Sequence, residues 1–217
     1  MPITLPPNLA PGSPVTVEYL GQFMESQAQA AVNEAQAQAA GPFLGWSFDA
    51  ALASGTALLG VGGSVYGTAI PLPQGGTVAK LWYDITTAGA TLTASSCWAL
   101  LFSSAGKLIG KSADQSTIWA TAGVGGSAAT GTTLTAFTTG SLTALAAGTY
   151  YGAVVATGTT LPTFATSGAP AAVFNANLAA AVSRCAILAT SVTTTPANVT
   201  PSSFSQTGSL PIWMGVS

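Results

Sequence analysis

A chain of 217 residues with four Lys and Arg, six Asp and Glu and no histidine has far fewer ionisable groups than the quarter or so of positions usual in soluble domains. Without histidine, neither a Ser-His-Asp triad nor a Cys-His dyad can be built, and the commonest metal ligand is missing. Four scattered cations, Lys80, Lys107, Lys111 and Arg184, cannot neutralise the row of phosphates on which nucleic-acid affinity rests. Composition therefore excludes a nucleic-acid partner and favours a neutral, packed, assembled protein over an enzyme.

Residues 1–14 contain Pro2, Pro6, Pro7, Pro11 and Pro14 and almost no periodicity, which predicts an extended proline-rich arm without a core of its own. Residues 15–40 form the one helical pattern. Ser13 is a candidate N-cap, Pro14 suits the first helical position and Glu18 suits the positive end of the helix. Tyr19 with Phe23, and Leu20 with Met24, make apolar pairs four residues apart. Beyond them QAQAAVNEAQAQAA offers only Val32 as a sizeable apolar group, and Gly41-Pro42 ends the helix. Ala and Gln propagate a helix but bury little area. Two readings follow: a helix lying on its own sheet, or a stalk that anchors or self-associates through Tyr19, Leu20, Phe23, Met24 and Val32.

Residues 42–217 read as a mainly β domain, an antiparallel β-sandwich of jelly-roll type. The predicted strands are PFLGWSFD (42–49), SVYGTAI (64–70), TVAKLWYDITT (77–87), SCWALLFS (96–103) and KLIGKSA (107–113). TLTAFT (133–138), GTYYGAVVAT (148–157), PAAVFN (170–175), RCAILAT (184–190) and LPIWMGV (210–216) complete them. Ser104-Ala105-Gly106 fits a hairpin loop, and Gly75-Gly76 and Gly125-Gly126 fit turns. Within 80–86, Leu81, Tyr83 and Ile85 share one face, and Lys80, Trp82 and Asp84 the other.

The chain's high mean hydropathy raises the possibility of a membrane span. The best window, 50–73, is broken by Gly55, Gly60, Gly62, Gly63, Gly67, Pro71 and Pro73, a poor match to the ~20 apolar residues a span requires. The proline-rich start lacks the basic and apolar regions of an export signal. The expectation is a protein that neither crosses a membrane nor is exported. Abundant Thr instead suits pleated surfaces kept wet by hydroxyls. Cys97 and Cys185 lie in apolar runs and are read as buried free thiols, although neighbouring strands could bring them together.

No residue constellation carries chemistry clearly. Asp49, Asp84 and Asp114 are the acids of the β domain and sit near strand ends, where Asp normally bonds nearby amides; a glycosidase pair is the distant alternative. Lys107 and Lys111 read as exposed lysines guarding a strand edge. The clusters at 60–63 and 123–126 lack the GK[ST] of a phosphate loop. No catalytic, cofactor-binding or metal-binding residue is assigned, and no cofactor is expected. Among Trp82, Trp98, Trp119 and Trp213, most belong to the core by alternation. Trp82 and Trp119 are the two that could line a ligand face.

The succession GTAIPLPQGGTVAKLWYDITTAGATLT, CWALLFSSAGKLIGKSADQS, GTYYGAVVA and LPIWMGVS resembles a β-sandwich domain of structural proteins in tailed bacteriophages, especially those of actinobacterial hosts. The likeness covers residues 67–217 and consists of fold signatures, not active-site motifs. It implies a virion location, assembly in the host cytoplasm and a role as a capsid decoration, head-fibre or minor tail protein. Its partners would be major capsid or tail subunits and further copies of itself, possibly as a trimer. A host-surface glycan would be the ligand if the protein belonged to the tail tip.

Overall fold

Two runs with hardly a polar side chain, WALLFS and YYGAVV, set the architecture, because strands this apolar must be covered on both faces. A computed structural model describes residues 43–121, 130–137, 140–176 and 178–217, all within the unit Pro42–Ser217. The expected proline-rich arm, the expected helix with Tyr19, Leu20, Phe23, Met24 and Val32, and the Gly125-Gly126 turn lie outside the described residues.

The chain is mainly β, antiparallel and sandwich-like. The larger sheet has six strands: β3 (Val65–Leu72), β7 (Trp98–Ser103), β8 (Leu108–Lys111), β10 (Thr135–Ala136), β11 (Gly148–Val155) and β14 (Cys185–Ala189). Their order is β10-β8-β7-β11-β3-β14. The second sheet, of four strands, runs β1 (Gly45–Trp46), β15 (Met214–Val216), β4 (Lys80–Tyr83) and β9 (Thr130–Thr133). A three-stranded sheet of β2 (Gly55–Leu58), β13 (Thr163–Thr166) and β5 (Ile85–Thr87) continues beside it, and β6 (Ala90–Leu92) pairs with β12 (Gly158–Thr160).

Alternation along the central strands divides the buried side chains between two cores. Ile70, Leu72, Ala99, Leu101 and Val154 meet Leu81, Tyr83, Met214 and Val216 of the four-stranded sheet, with Trp119 and Phe164 at one end. On the opposite face Trp98, Leu100, Phe102, Tyr151, Ala153 and Val155 are covered by the long C-terminal loop through Val199 and Phe204. Gly152 sits where the sheets approach: a Cβ there would come within 2.7 Å of Ile70, 2.9 Å of Met214 and 3.1 Å of Leu81. Its lack of a side chain lets Met214 and Leu81 press onto β11.

The β7–β8 hairpin turns through Ser104-Ala105-Gly106 as expected, with Gly106 at φ 78°. Its tip is wedged against the C-terminal loop, since a Cβ on Gly106 would collide with the Val199 carbonyl. Gly75 and Gly76, expected as a turn, adopt positive φ, 67° and 140°, but Gly76 lies in an antiparallel bridge with Leu145. The expected alternation of 80–86 holds: Leu81, Tyr83 and Ile85 are buried while Lys80 is exposed.

Several expectations need correction. PAAVFN is a one-turn helix, α2 (Ala171–Asn175), and not a strand. Its turn delivers Asn175 into the interior, where Oδ1 accepts from the Arg184 and Cys185 amides at 2.8 and 2.9 Å and Nδ2 donates to the Cys185 carbonyl at 2.8 Å. That clip starts β14, and Ala171-Ala172 favours the helix that makes it. Lys111 is not on an edge strand: β10 lies outside β8, and the Lys111 ammonium donates to Thr195 Oγ1 at 3.0 Å. Strands β2, β6, β12 and β13 fall in short Gly-, Ala- and Thr-rich runs not expected to pair.

Candidate functional site

The outward face of the four-stranded sheet is built by its register. Trp46 pairs with Gly215, Gly215 with Trp82, and Trp82 with Gly131. Partners in an antiparallel ladder project to the same side, so one row across the sheet reads Trp-Gly-Trp-Gly. Leu81, Tyr83, Met214 and Val216 fill the opposite face, which is core. Large rings alternating with bare backbone leave room for the rings to lie down.

Trp82 does so. Its Cη2, Cε2 and Cε3, alternate atoms of the six-membered ring, lie 2.8, 2.9 and 2.9 Å from the point a Gly131 Cβ would occupy. Near-equal distances to alternate atoms place the ring centre over the glycine. One π face therefore covers Gly131 and the other looks away from the sheet, and the side chain is half-buried. The indole N–H is held by Ser217 Oγ at 2.8 Å, which fixes the ring in its plane.

Phe43 fills the notch over Gly215, with Cδ1 3.0 Å from the ideal Cβ position. Its ring stands at 87° to Trp82 and 84° to Trp213, at centroid distances of 5.6 and 5.7 Å, the edge-to-face arrangement that aromatic quadrupoles favour. Trp213 is buried beside it, and its indole N–H lacks a hydrogen-bond partner among the described residues. The exposed Lys80 places its ammonium 5.5 Å from the Trp82 ring, within reach of a cation–π attraction. The surface thus offers a half-buried indole, a perpendicular ring beside it and the exposed Lys80 ammonium over the indole, with Asp84 on the same face of the strand.

Of the two tryptophans read as candidate ligand-face aromatics, only Trp82 reaches the surface. Trp119 closes the short helix α1 (Ser116–Trp119) and is fully buried, so it belongs to the core. Its Nε1 donates to Tyr83 Oη at 3.0 Å, and Tyr83 donates to Gln115 Oε1 at 3.2 Å. Trp119 also meets Tyr83 and Phe164 edge to face. Burial pushes the Tyr83 phenol up to about 12, against the opposing hydrogen bonds from Trp119 and Thr132. Trp98 is buried too, beneath the Lys111 ammonium at 5.1 Å.

The acids named as the glycosidase alternative are largely spent on the backbone. Asp49 accepts from the Ala51 amide at 2.9 Å and caps a turn of 3-10 helix. Asp114 accepts from the Cys97 amide and the Ser116 hydroxyl. Burial opposes its charge, but those bonds and further ones from the Ser95 and Ser116 amides prevail and hold its carboxyl below the usual range. Burial raises Asp84. Cys97 and Cys185 are buried free thiols, pushed up chiefly by burial. Among the described residues no group of three or more His, Cys, Asp or Glu could hold a metal ion, and no helix is long and apolar enough to cross a membrane.

The companions Phe43, Trp46 and Gly131 escape sequence reasoning. Alternation turns Trp82 outward, but only the register shows which residues stand opposite it. No protein family, curated protein or solved structure matches this chain.

Proposed function

We propose that this chain is a non-enzymatic structural protein of a tailed bacteriophage particle, attached to the capsid as a decoration or head-fibre protein. It would be assembled in the host cytoplasm against major capsid or tail subunits, with copies of itself as further neighbours. The observation that carries the reading is the scarcity of ionisable groups, ten in 217 residues, together with the use of Asp49, Asp114 and Lys111 on the protein's own backbone and hydroxyls. A surface of Thr, Ser and Gly associates by shape, backbone hydrogen bonds and apolar contact. Near-zero net charge is a hazard for a free monomer but not for a part covered by neighbours.

A second reading, a minor tail or tail-tip protein that binds host-surface carbohydrate, draws on the outward indole of Trp82. Labelled full-length protein in purified particles separates the two: a signal distributed over the head supports decoration, and one confined to the tail tip supports the second reading. Its absence from particles overturns both. Contacts made without charge should also hold as salt rises from about 0.05 M to about 1 M, where the Debye length shrinks severalfold. Release over that range would mean that electrostatics holds the protein in place.

A further inference from the structure

We infer that the free edge of β2 pairs with β2 of a second copy of this chain, antiparallel and about a two-fold axis at Ala57, so that two three-stranded sheets become one. This rests on the reading of the chain as a part assembled with copies of itself, and it names the surface through which two copies meet.

Strand β2 ends its sheet, in the order β2-β13-β5. In an antiparallel ladder, residues standing opposite alternate between pairs that exchange backbone bonds and pairs whose N–H and C=O groups point apart. Thr56 stands opposite Ala165. The Ala165 N–H donates to the Asp84 carbonyl, and the Ala165 carbonyl accepts from the Trp213 N–H, both at 3.0 Å. Both groups of Ala165 therefore point away from β2. The Thr56 N–H and C=O in turn point away from β13, as do those of Leu58 two residues on. These backbone groups make no hydrogen bond among the described residues. The side chains of Thr56 and Leu58 are exposed too, Leu58 by 53%.

The edge is its own complement. With Ala57 opposite Ala57 of a second, antiparallel β2, the Thr56 N–H meets the Leu58 carbonyl of the other copy. The Leu58 N–H meets the Thr56 carbonyl, and the two-fold repeats both bonds. Every outward donor and acceptor of Thr56 and Leu58 is then used, and each Leu58 side chain stands opposite a Thr56. An isologous contact sets one patch against itself, so any charge near the axis would face its like. Residues 50–79 contain no Asp, Glu, Lys or Arg, which removes that repulsion and leaves a charged foreign strand without a counter-charge. Lysine, proline or a bulge commonly keeps an edge unpaired; β2 has none of them, and its register with β13 is unbroken. At β14, by contrast, Ser205 closes the edge by exchanging backbone bonds with Ile187 at 2.8 and 3.0 Å.

The test uses full-length protein, sedimented over a concentration series and cross-linked through single cysteines. Under mild oxidation Ala57→Cys should give a covalent dimer, since residues facing across such an axis lie about 4.5 Å apart at Cα, within disulfide range. Thr56→Cys should cross-link far less, because its opposite number is Leu58. Cys97 and Cys185 are buried and should not compete. Thr56→Pro deletes a donor that faces away from β13, a position where a strand tolerates proline. It should weaken association at least about tenfold with Tm and circular dichroism unchanged. Should proline disturb β2, Leu58→Lys gives a second reading from an exposed position and should weaken association comparably. Cross-linking at residue 56 as readily as at 57 overturns the inference. An oligomer that neither Thr56→Pro nor Leu58→Lys weakens overturns it too, while leaving assembly with copies of itself intact. A chain that stays monomeric at every concentration overturns both.

Discussion

The two sheets of this domain use the same kind of residue to opposite ends. The six-stranded sheet is covered on both faces, by the smaller sheets on one side and the C-terminal loop on the other, and its central strands are apolar at nearly every position. The four-stranded sheet packs one face on that core, and among the described residues its other face carries the row Trp46, Gly215, Trp82 and Gly131. Trp119, in the core between the sheets, is fully buried, whereas Trp82, on the open face, keeps one side of its ring outward. The contrast teaches that a tryptophan's role here follows from what covers its strand, not from how apolar its neighbours in sequence are.

Removing each ring is the strongest way to break that contrast. Trp119→Ala deletes a buried ring that touches Tyr83 and Phe164 and removes the indole N–H that donates to the Tyr83 hydroxyl. A loss of about 3–5 kcal/mol is expected, seen as a lower denaturation midpoint at unchanged slope. Trp82→Ala removes a half-buried ring and should cost about 1 kcal/mol or a little more. Equal costs would mean that the outward face is as fully packed as the core.

A smaller effect comes from the phenol that Trp119 contacts. Burial disfavours the phenolate and pushes the Tyr83 phenol up to about 12 in the folded chain, against about 10 for a free tyrosine. Below pH 10 both states keep the proton and stability is unaffected. Between 10 and 12 the unfolded chain alone releases it, so stability falls as pH rises through that window, by about 3 kcal/mol in all. Asp114 works in the opposite direction at the acid end: its depressed pKa stabilises the fold above the ordinary Asp range, and this is lost as pH falls. Tyr83→Phe should remove most of the alkaline loss in pH-dependent unfolding. If the loss persists undiminished, Tyr83 is not the group responsible.

How far the fold was legible follows from the same physics. Strands β3, β4, β7, β8, β11, β14 and β15 announce themselves by β-branched, aromatic and Leu-rich runs, and Leu81, Tyr83 and Ile85 are assigned to the inner face by alternation alone. GTAL, ATL, GTT and TFAT do not, since small side chains pair only where larger neighbours have already fixed a sheet. PAAVFN misleads because its Val and Phe suit a strand, while the buried amide of Asn175 decides for a helical turn that clips β14 in place. The candidate surface was half legible. Trp82 can be turned outward from KLWYD, but nothing in TGTT marks Gly131 as the bare spot beneath it, because register is a property of pairs of strands.

The smallest expected effect sharpens the comparison most, because one substitution should change sign between the sheets. Thr68, on β3 of the six-stranded sheet, is fully buried and its hydroxyl has no hydrogen-bond partner among the described residues. Thr68→Val keeps the shape and removes that unmatched group, so stability should rise by about 1 kcal/mol, or about 2–4 °C in Tm. Thr132, on β9 of the four-stranded sheet, is also buried, but its side chain hydrogen-bonds Tyr83. Thr132→Val should therefore cost about 1 kcal/mol and raise the pKa of Tyr83 further. Thermal unfolding of the two variants side by side decides the matter. If both substitutions move Tm the same way, the hydroxyls experience the same environment, and the difference in how the two sheets are covered does not extend to their polar groups.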